Sequence, residues 1–243
     1  MAYVPQDGCV VELMDPEHAD NFWYEGRRKI LQTSFERILQ IFSPVVDTYL
    51  DYGAGTGDFA AWSRRVLGTA DVVVADSSPQ MLRIASERGL NTAPVPLSAA
   101  VRNLDLVTMF DVLEHIDNDV EFLAELHARM TPRGLLMISV PAHQWLFGAH
   151  DKRVGHYRRY SLKALKSVVE QAGFTVVWRS WYNLFLFPAM VLVRLKDRNK
   201  EEQLTRLPCA MNSLLCTIFG AERGLVKHRL LPYGASIIMV VRA

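Results

Sequence analysis

The segment Asp51-Tyr-Gly53-Ala-Gly55-Thr-Gly57 constrains this chain more than any other stretch. It follows residues 45–51 (VVDTYLD), whose Val, Tyr and Leu favour a strand, and it leads into a helical pattern over 58–66. Glycines at alternate positions let backbone N–H groups approach a ligand and permit positive φ. Nineteen residues past Gly57, Asp76 closes a second apolar run at 71–76 (DVVVAD). A carboxylate in that position can accept both hydroxyls of a ribose. Strand, glycine turn, helix, strand and terminal acid together predict a nucleoside site on an open α/β sheet. An ordinary tight turn with an exposed Asp is the plainer alternative.

Strand and helix patterns alternate from about residue 45 to residue 182. The runs at 71–76, 104–110 (LDLVTMF) and 134–140 (GLLMISV) are almost unbroken apolar stretches, as expected of parallel strands covered on both faces. Ser78 is a suitable N-cap, Pro79 suits the first helical position and Gly89 can end that helix. Asp117 or Asn118 can cap a helix over 119–130, where Phe122, Leu126 and Met130 share a face. Ser161 opens a third helix with Leu162, Leu165, Val168 and Val169 along one side and Gly173 at its end. Strand composition resumes at 174–181 and again at 235–241. Alternating β and α elements give a doubly wound sheet through right-handed crossovers.

Half of the 243 residues are hydrophobic and 22% are charged, which excludes intrinsic disorder. The net charge of +1 offers no global case for nucleic acid. Cys9, Cys209 and Cys216 form no CxxC pair, so a reduced, cytoplasmic setting is expected. Residues 1–20 carry five acids and no Lys or Arg, unlike a secretory leader. The longest uncharged apolar stretches, 180–193 and 207–221, fall short of the roughly 18–20 residues that a bilayer span requires.

The loop also limits which nucleoside fits. A dinucleotide site has a third glycine where this chain has Asp58, and an acid there would repel a diphosphate while tolerating a cation. No Tyr-x-x-x-Lys pair of the short-chain dehydrogenase kind occurs. A nucleoside carrying a positive charge is the expected ligand. From residue 51 to residue 141 the chain resembles the class I S-adenosylmethionine-dependent methyltransferases. DYGAGTG is similar to their first motif, VVVADSSPQML to their second, and DLVTMFDVLEHIDND to the segment after the fourth strand. NFWYEGRR (21–28) and HDKRVGHYRRYSLKAL (150–165) extend the resemblance to the bacterial type 11/12 group.

The resemblance implies a single Rossmann-like α/β domain over 1–243 with a seven-stranded, mostly parallel sheet. Within it, residues 1–44 would form an N-terminal helical cap, and 45–181 with 235–243 the cofactor-binding core. S-adenosylmethionine would be the cofactor and S-adenosylhomocysteine the product. Gly53, Ala54 and Gly55 would line its methionine portion, and Asp51 would orient the amino group. Asp76 would hold the ribose, Ser77 and Met81 would flank the adenine, and Phe110, Asp111 and Val112 would close the pocket. Tyr24 and Arg27 would cover the cofactor, with Arg27 on its carboxylate; packing within an amphipathic helix is the competing role for Trp23 and Tyr24.

In-line methyl transfer needs positioning more than covalent help, and a base only if the acceptor is a weak nucleophile. His115, His150 and His156 are the candidate bases, with His143 nearby in sequence; any of them could instead be structural. His150, Asp151 and His156 have metal-ligand side chains but no strong metal spacing, so no metal is expected. Residues 151–166 carry six basic side chains against one acid. Arg158, Arg159 and Tyr160, with Trp145, are candidates to grip an anionic acceptor, or else pair with acids elsewhere in the fold.

Residues 182–234 fit no strand–helix alternation. Two apolar segments flank a polar connector, RLKDRNKEEQLTR, and read as a helical insertion before the last strand. It could be a lid over a hydrophobic acceptor, a homodimer contact, a peripheral membrane element, or plain cover for the sheet edge. The function expected is methyl transfer to O or N of a small, partly hydrophobic acceptor with an acidic end. A nicotinamide-dependent oxidoreductase and a non-catalytic S-adenosylmethionine-binding protein are the alternatives. No nucleic-acid partner is expected.

Overall fold

The computed structural model describes residues 22–68, 71–196 and 208–243. The first 21 residues, including the start of the expected cap, and most of the polar connector lie outside them. An initial helix, α1 (Phe22–Phe42), leads to β1 (Thr48–Tyr52), α2 (Asp58–Leu67), β2 (Asp71–Asp76), α3 (Pro79–Glu87) and β3 (Asn91–Pro94). Next come β4 (Leu104–Phe110), α4 (Asp119–Ala128), β5 (Met130–Pro141), a short α5 (Ala149–Arg153), α6 (Leu162–Gln171) and β6 (Thr175–Tyr182). The insertion supplies α7 (Phe187–Lys196), α8 (Cys209–Ala221) and α9 (Arg223–Lys227) before β7 (Ser236–Arg242).

The strands form one sheet in the order β3-β2-β1-β4-β5-β7-β6. β1 to β5 pair in parallel, while β7 runs antiparallel between β5 and β6. The order reverses next to β1, which opens a crevice at the carboxyl ends of β1 and β4. Successive strand residues face opposite sides, so the sheet has two cores. Ile30, Leu31, Phe35 and Ile38 of α1 pack on the face bearing Tyr49, Val74, Leu106 and Met137. Leu123, Leu126, Leu165 and Val169, from α4 and α6, cover Leu50, Val107 and Leu136 on the other.

The capping signals behave as their chemistry requires. The Ser78 hydroxyl accepts from the Met81 amide and the Ser161 hydroxyl from the Ala164 amide, each satisfying one orphan donor of a first turn. Boundaries differ in three places. β1 starts at Thr48 rather than 45, leaving Val45 on the surface. β5 begins at Met130, so α4 stops earlier than the apolar spacing implied. β3 had no signal of its own, because its four residues NTAP have little strand propensity and are held by pairing with β2.

The described residues of the insertion are largely helical, and the helix α8 has a structural task. α8 lies along α1, where Phe219 is fully buried, packs on Trp23 at 5.4 Å and stacks near Tyr182. A Cβ on Gly26 would come within 2.4 Å of the Phe219 ring, so only glycine admits this contact. Among the described residues no helix is long and apolar enough to cross a membrane.

Candidate active site

The turn after β1 is built by its glycines. Gly53, Gly55 and Gly57 have φ of 70°, 55° and 76°, a left-handed region costly for other residues. The amides of Gly53 and Ala54 converge on the Ala75 carbonyl at 2.7 and 3.3 Å. A Cβ on Gly53 would lie 2.3 Å from Val112 Cγ2, which brings the backbone against the segment after β4. Asp76 ties the turn to β2: Oδ2 accepts from the Gly55 amide at 2.9 Å and Oδ1 from the Ser78 amide at 2.8 Å. Each oxygen retains a further lone pair for a hydroxyl.

Asp51 lies beneath this turn, 3% exposed. Its Oδ1 accepts from the Thr108 hydroxyl at 2.6 Å, and Thr108 Oγ1 is 2.5 Å from the Tyr49 hydroxyl. Parallel pairing sets this arrangement, since Thr108 is the β4 residue in register with Asp51 and Tyr49 lies two residues earlier on the same face. Neither Tyr49 nor Thr108 was singled out from sequence; Thr108, the polar residue in the middle of LDLVTMF, was the available signal. Oδ2 of Asp51 is buried with no donor in hydrogen-bonding geometry. Burial pushes its carboxyl up to about 7, against the opposing pull of Thr108 and Arg27.

Arg27 reaches from α1 to Asp111, Nε to Oδ2 at 2.6 Å. Burial works against its charge, but Asp111 and Tyr182 hold the guanidinium firmly protonated. Asp111 has φ of 56°, and its Oδ1 accepts from Ser139, whose hydroxyl is 2.9 Å from that of Tyr182. Tyr24 belongs to the same group: burial raises its phenol, with Arg27 and Asp111 acting in opposite senses. Phe110 stacks edge-on against Phe59 at 4.9 Å, Met81 is buried at the start of α3, and Ser77 follows Asp76 half-buried. The expected cofactor residues thus gather from α1, β1, β2 and β4. The structure couples Arg27 to Asp111, a pairing that the sequence did not indicate.

The histidines separate into distinct settings. Glu114, His115 and His156 converge, with ligand-type atoms all within 4.8 Å of one another. The His115 and His156 rings meet edge to face at 4.6 Å. Burial, then His156, lowers His115 to about 4. His156 Nδ1 lies 3.0 Å from Asp151 Oδ1, and its Nε2 is 3.9 Å from Glu114 Oε1. Glu114 is fully buried, neither carboxylate oxygen has a partner in good hydrogen-bonding geometry, and burial with the Asp111 charge pushes its pKa well above the usual range against the pull of its own backbone N–H. His150 is lowered to about 4 by burial and by Arg194 and lies outside this group. His143 is fixed by its neighbours: Nε2 is 2.8 Å from the Gly234 carbonyl and must donate, so Nδ1 accepts from the Tyr233 hydroxyl.

The basic segment pairs with acids inside the fold, the second of the two roles open to it from sequence. Arg159 is 6% exposed and bonded through Nε and Nη2 to Asp151, each at 2.8 Å. Burial opposes the Asp151 charge, but His156, Arg159 and Arg194 hold its carboxyl well below the ordinary range. Arg158 bonds Asp117 and Asp119. Tyr160 is buried with its hydroxyl donating to Asp119 at 2.7 Å. Trp145 differs in being half-exposed, beside His143 and Phe187. With Trp181 and Tyr233 these rings form an aromatic wall at the end of β5.

Sheet order, the glycine turn, Asp51 and Asp76 together form an arrangement suited to a nucleoside at the carboxyl ends of β1 and β2. Residues 22–178 match the family described as "Methyltransferase domain", and the chain belongs to it. It is 26% identical over 161 residues to a Mycolicibacterium smegmatis protein named "Probable S-adenosylmethionine-dependent methyltransferase", covering 65% of this chain and 61% of that one. The chain therefore spans about three fifths of that relative. A "Ubiquinone biosynthesis O-methyltransferase" of Parvibaculum lavamentivorans is 33% identical over 100 residues, 37% of this chain and 39% of that protein. The plantazolicin methyltransferase BpumL, solved with S-adenosylhomocysteine, shares the fold at a TM-score of 0.59, 13% identity and coverage of 96% and 92%.

Proposed function

We propose that this chain transfers the methyl group of S-adenosylmethionine to an oxygen or nitrogen of a small, partly apolar acceptor. The observation that carries the reading is Oδ2 of Asp51, a buried acceptor that no donor meets in good geometry and that feels only a weaker pull from the Ala60 backbone N–H, under a glycine turn where Gly53 leaves no space for a side chain. A ligand ammonium satisfies that oxygen; so the residues fit the cofactor. When bound, S-adenosylmethionine supplies a methyl group on a positively charged sulfur.

The chain's own residues do the rest. Asp51, held by Thr108, would take the ammonium; Arg27, with donors beyond its Asp111 contact, would take the carboxylate. Gly53, Ala54 and Gly55 would line the same end. Asp76 would accept the ribose hydroxyls, Ser77 and Met81 would flank the base, and Tyr24, Phe110, Asp111 and Val112 would exclude water. Exclusion of water favours a step in which charge on sulfur disappears, and alignment supplies most of the rate.

On the acceptor side, the aromatic wall of Trp145, Trp181, Phe187 and Tyr233 offers an apolar surface, and the Glu114, His115 and His156 cluster offers polar atoms beside Asp111. The O-methyltransferase name of the Parvibaculum relative favours oxygen over nitrogen as the atom methylated. The insertion supports this site from behind, because α8 braces the α1 helix that carries Tyr24 and Arg27. Calorimetric titration with S-adenosylhomocysteine tests the cofactor half, with one site per chain expected and no binding at millimolar ligand overturning it. Transfer of labelled methyl to phenolic and amine acceptors tests the other half.

A further inference from the structure

We propose that Glu114, His115 and His156 form a binding site for a divalent first-row transition-metal ion, with Asp151 as the residue that positions His156. Two segments bring the ligands together. Glu114 and His115 occupy the 3₁₀ turn Leu113–His115 after β4, and His156 follows α5. The Tyr157 amide donates to the Glu114 carbonyl at 2.8 Å, fixing the second loop onto the turn. The ligand-type atoms already lie within 4.8 Å of one another, and Glu114 Oε1 is 3.9 Å from His156 Nε2. An ion bonded at about 2.0–2.2 Å to each would draw such atoms to roughly 3–4 Å, a shift within reach of small side-chain rotations.

Two observations single out a cation rather than a structural knot. Glu114 is fully buried, and apart from the pull of its own backbone N–H neither oxygen meets a donor in good hydrogen-bonding geometry, an arrangement that protein interiors avoid unless something compensates the carboxylate. His156 has the outer support typical of a metal-bound imidazole: its Nδ1 faces the Asp151 carboxylate at 3.0 Å and is the donor, which leaves the Nε2 lone pair on the Glu114 side. Asp151 is itself held by Arg159, Arg194 and the Gly148 amide, so the imidazole orientation is set before any ion arrives. Two imidazoles and one carboxylate favour Zn²⁺, Fe²⁺, Co²⁺ or Mn²⁺ over Mg²⁺, whose preferred ligands are oxygens.

This set differs from the His150, Asp151 and His156 combination read from sequence, in which Asp151 would have been a ligand. Asp151 instead serves the arginines and the far side of His156, and Glu114 takes the ligand position. The site adjoins Asp111, so an ion there could bind and acidify an acceptor hydroxyl; that role, unlike the ion site itself, rests on the methyl-transfer reading.

The test uses full-length protein stripped with a chelator and titrated calorimetrically with ZnCl₂ and CoCl₂, without cofactor or acceptor. One equivalent should bind, at least 100-fold more tightly in wild type than in Glu114→Gln or His156→Ala variants that keep the wild-type circular dichroism. Asp151→Asn should weaken binding about 10–100-fold, the usual cost of losing an outer partner. If the variants do not fold, pulsed electron paramagnetic resonance on wild type loaded with Mn²⁺ or Cu²⁺ should show two imidazole nitrogens. Absence of stoichiometric uptake, equal uptake by the folded variants, or a spectrum without imidazole coupling would overturn the proposal. Because no methyl donor is present, failure here leaves the S-adenosylhomocysteine titration to judge the methyltransferase reading separately.

Discussion

Replacing Asp51 by Asn probes the cofactor reading at the atom that carries it. The wild-type carboxyl, raised to about 7, must ionise before it can pair with an ammonium. Ionisation rises from about 3% at pH 5.5 to about 75% at pH 7.5, so affinity for S-adenosylhomocysteine should increase about 25-fold across that range. In the variant, the amide oxygen keeps the Thr108 hydrogen bond, and the amide nitrogen replaces Oδ2, presenting a donor to the ligand's own donor. Losing a buried charged hydrogen bond costs about 2–3 kcal/mol, or roughly 30–150-fold in affinity at pH 7.5, and the pH dependence should vanish.

The same substitution should stabilise the ligand-free protein. A raised folded-state pKa means that the fold binds the proton more tightly than the unfolded chain does. Wild-type stability is therefore eroded as pH climbs from 3.8 toward about 7, and the loss is complete above it. The interval corresponds to at most about 4 kcal/mol, which Asn would recover at neutral pH. Calorimetry in buffers of different ionisation enthalpy, with urea unfolding alongside, reads both effects. A flat wild-type pH profile, or Asn binding within threefold of wild type at pH 7.5, refutes the reasoning.

Four further outcomes follow from the packing. Gly53→Val, with φ of 70° and Val112 at 2.3 Å, should cost about 2–4 kcal/mol in urea unfolding and abolish S-adenosylhomocysteine binding. Phe219→Ala should cost about 3–5 kcal/mol by opening a cavity between α8 and α1, lowering Tm by roughly 6–20 °C in a calorimetric scan. Arg159→Met should cost about 3–5 kcal/mol by stranding the buried Asp151 charge, and Tyr160→Phe about 1–2 kcal/mol. Cofactor affinity should change little in either, whereas loss of acceptor affinity without loss of stability would restore a substrate-gripping role.

Local chemistry explains which features could be read before the structure. A glycine turn between a strand and a helix reports its own φ values, Ser78 and Ser161 report their caps, and continuous apolar runs report strands buried on both faces. β3 escaped notice because it exists only through its pairing with β2. The antiparallel placement of β7 between β5 and β6 likewise depends on partners distant in the chain. Whether Arg158 and Arg159 grip an acceptor or pair internally was not legible from sequence, because their acids, Asp117, Asp119 and Asp151, are brought to them by folding.

The amino-acid sequence alone determined the α/β class, the glycine turn with Asp51 and Asp76, and the methyltransferase resemblance, because each depends on residues close together in the chain. Tertiary structure decided how charges and donors were matched. It joined Arg27 to Asp111, linked Tyr49 through Thr108 to Asp51, left Glu114 buried beside two histidines, and set α8 against α1. The physical reason is that a side chain's protonation and ligand-binding capacity follow from its burial and its neighbours within a few ångströms, and only the fold specifies those.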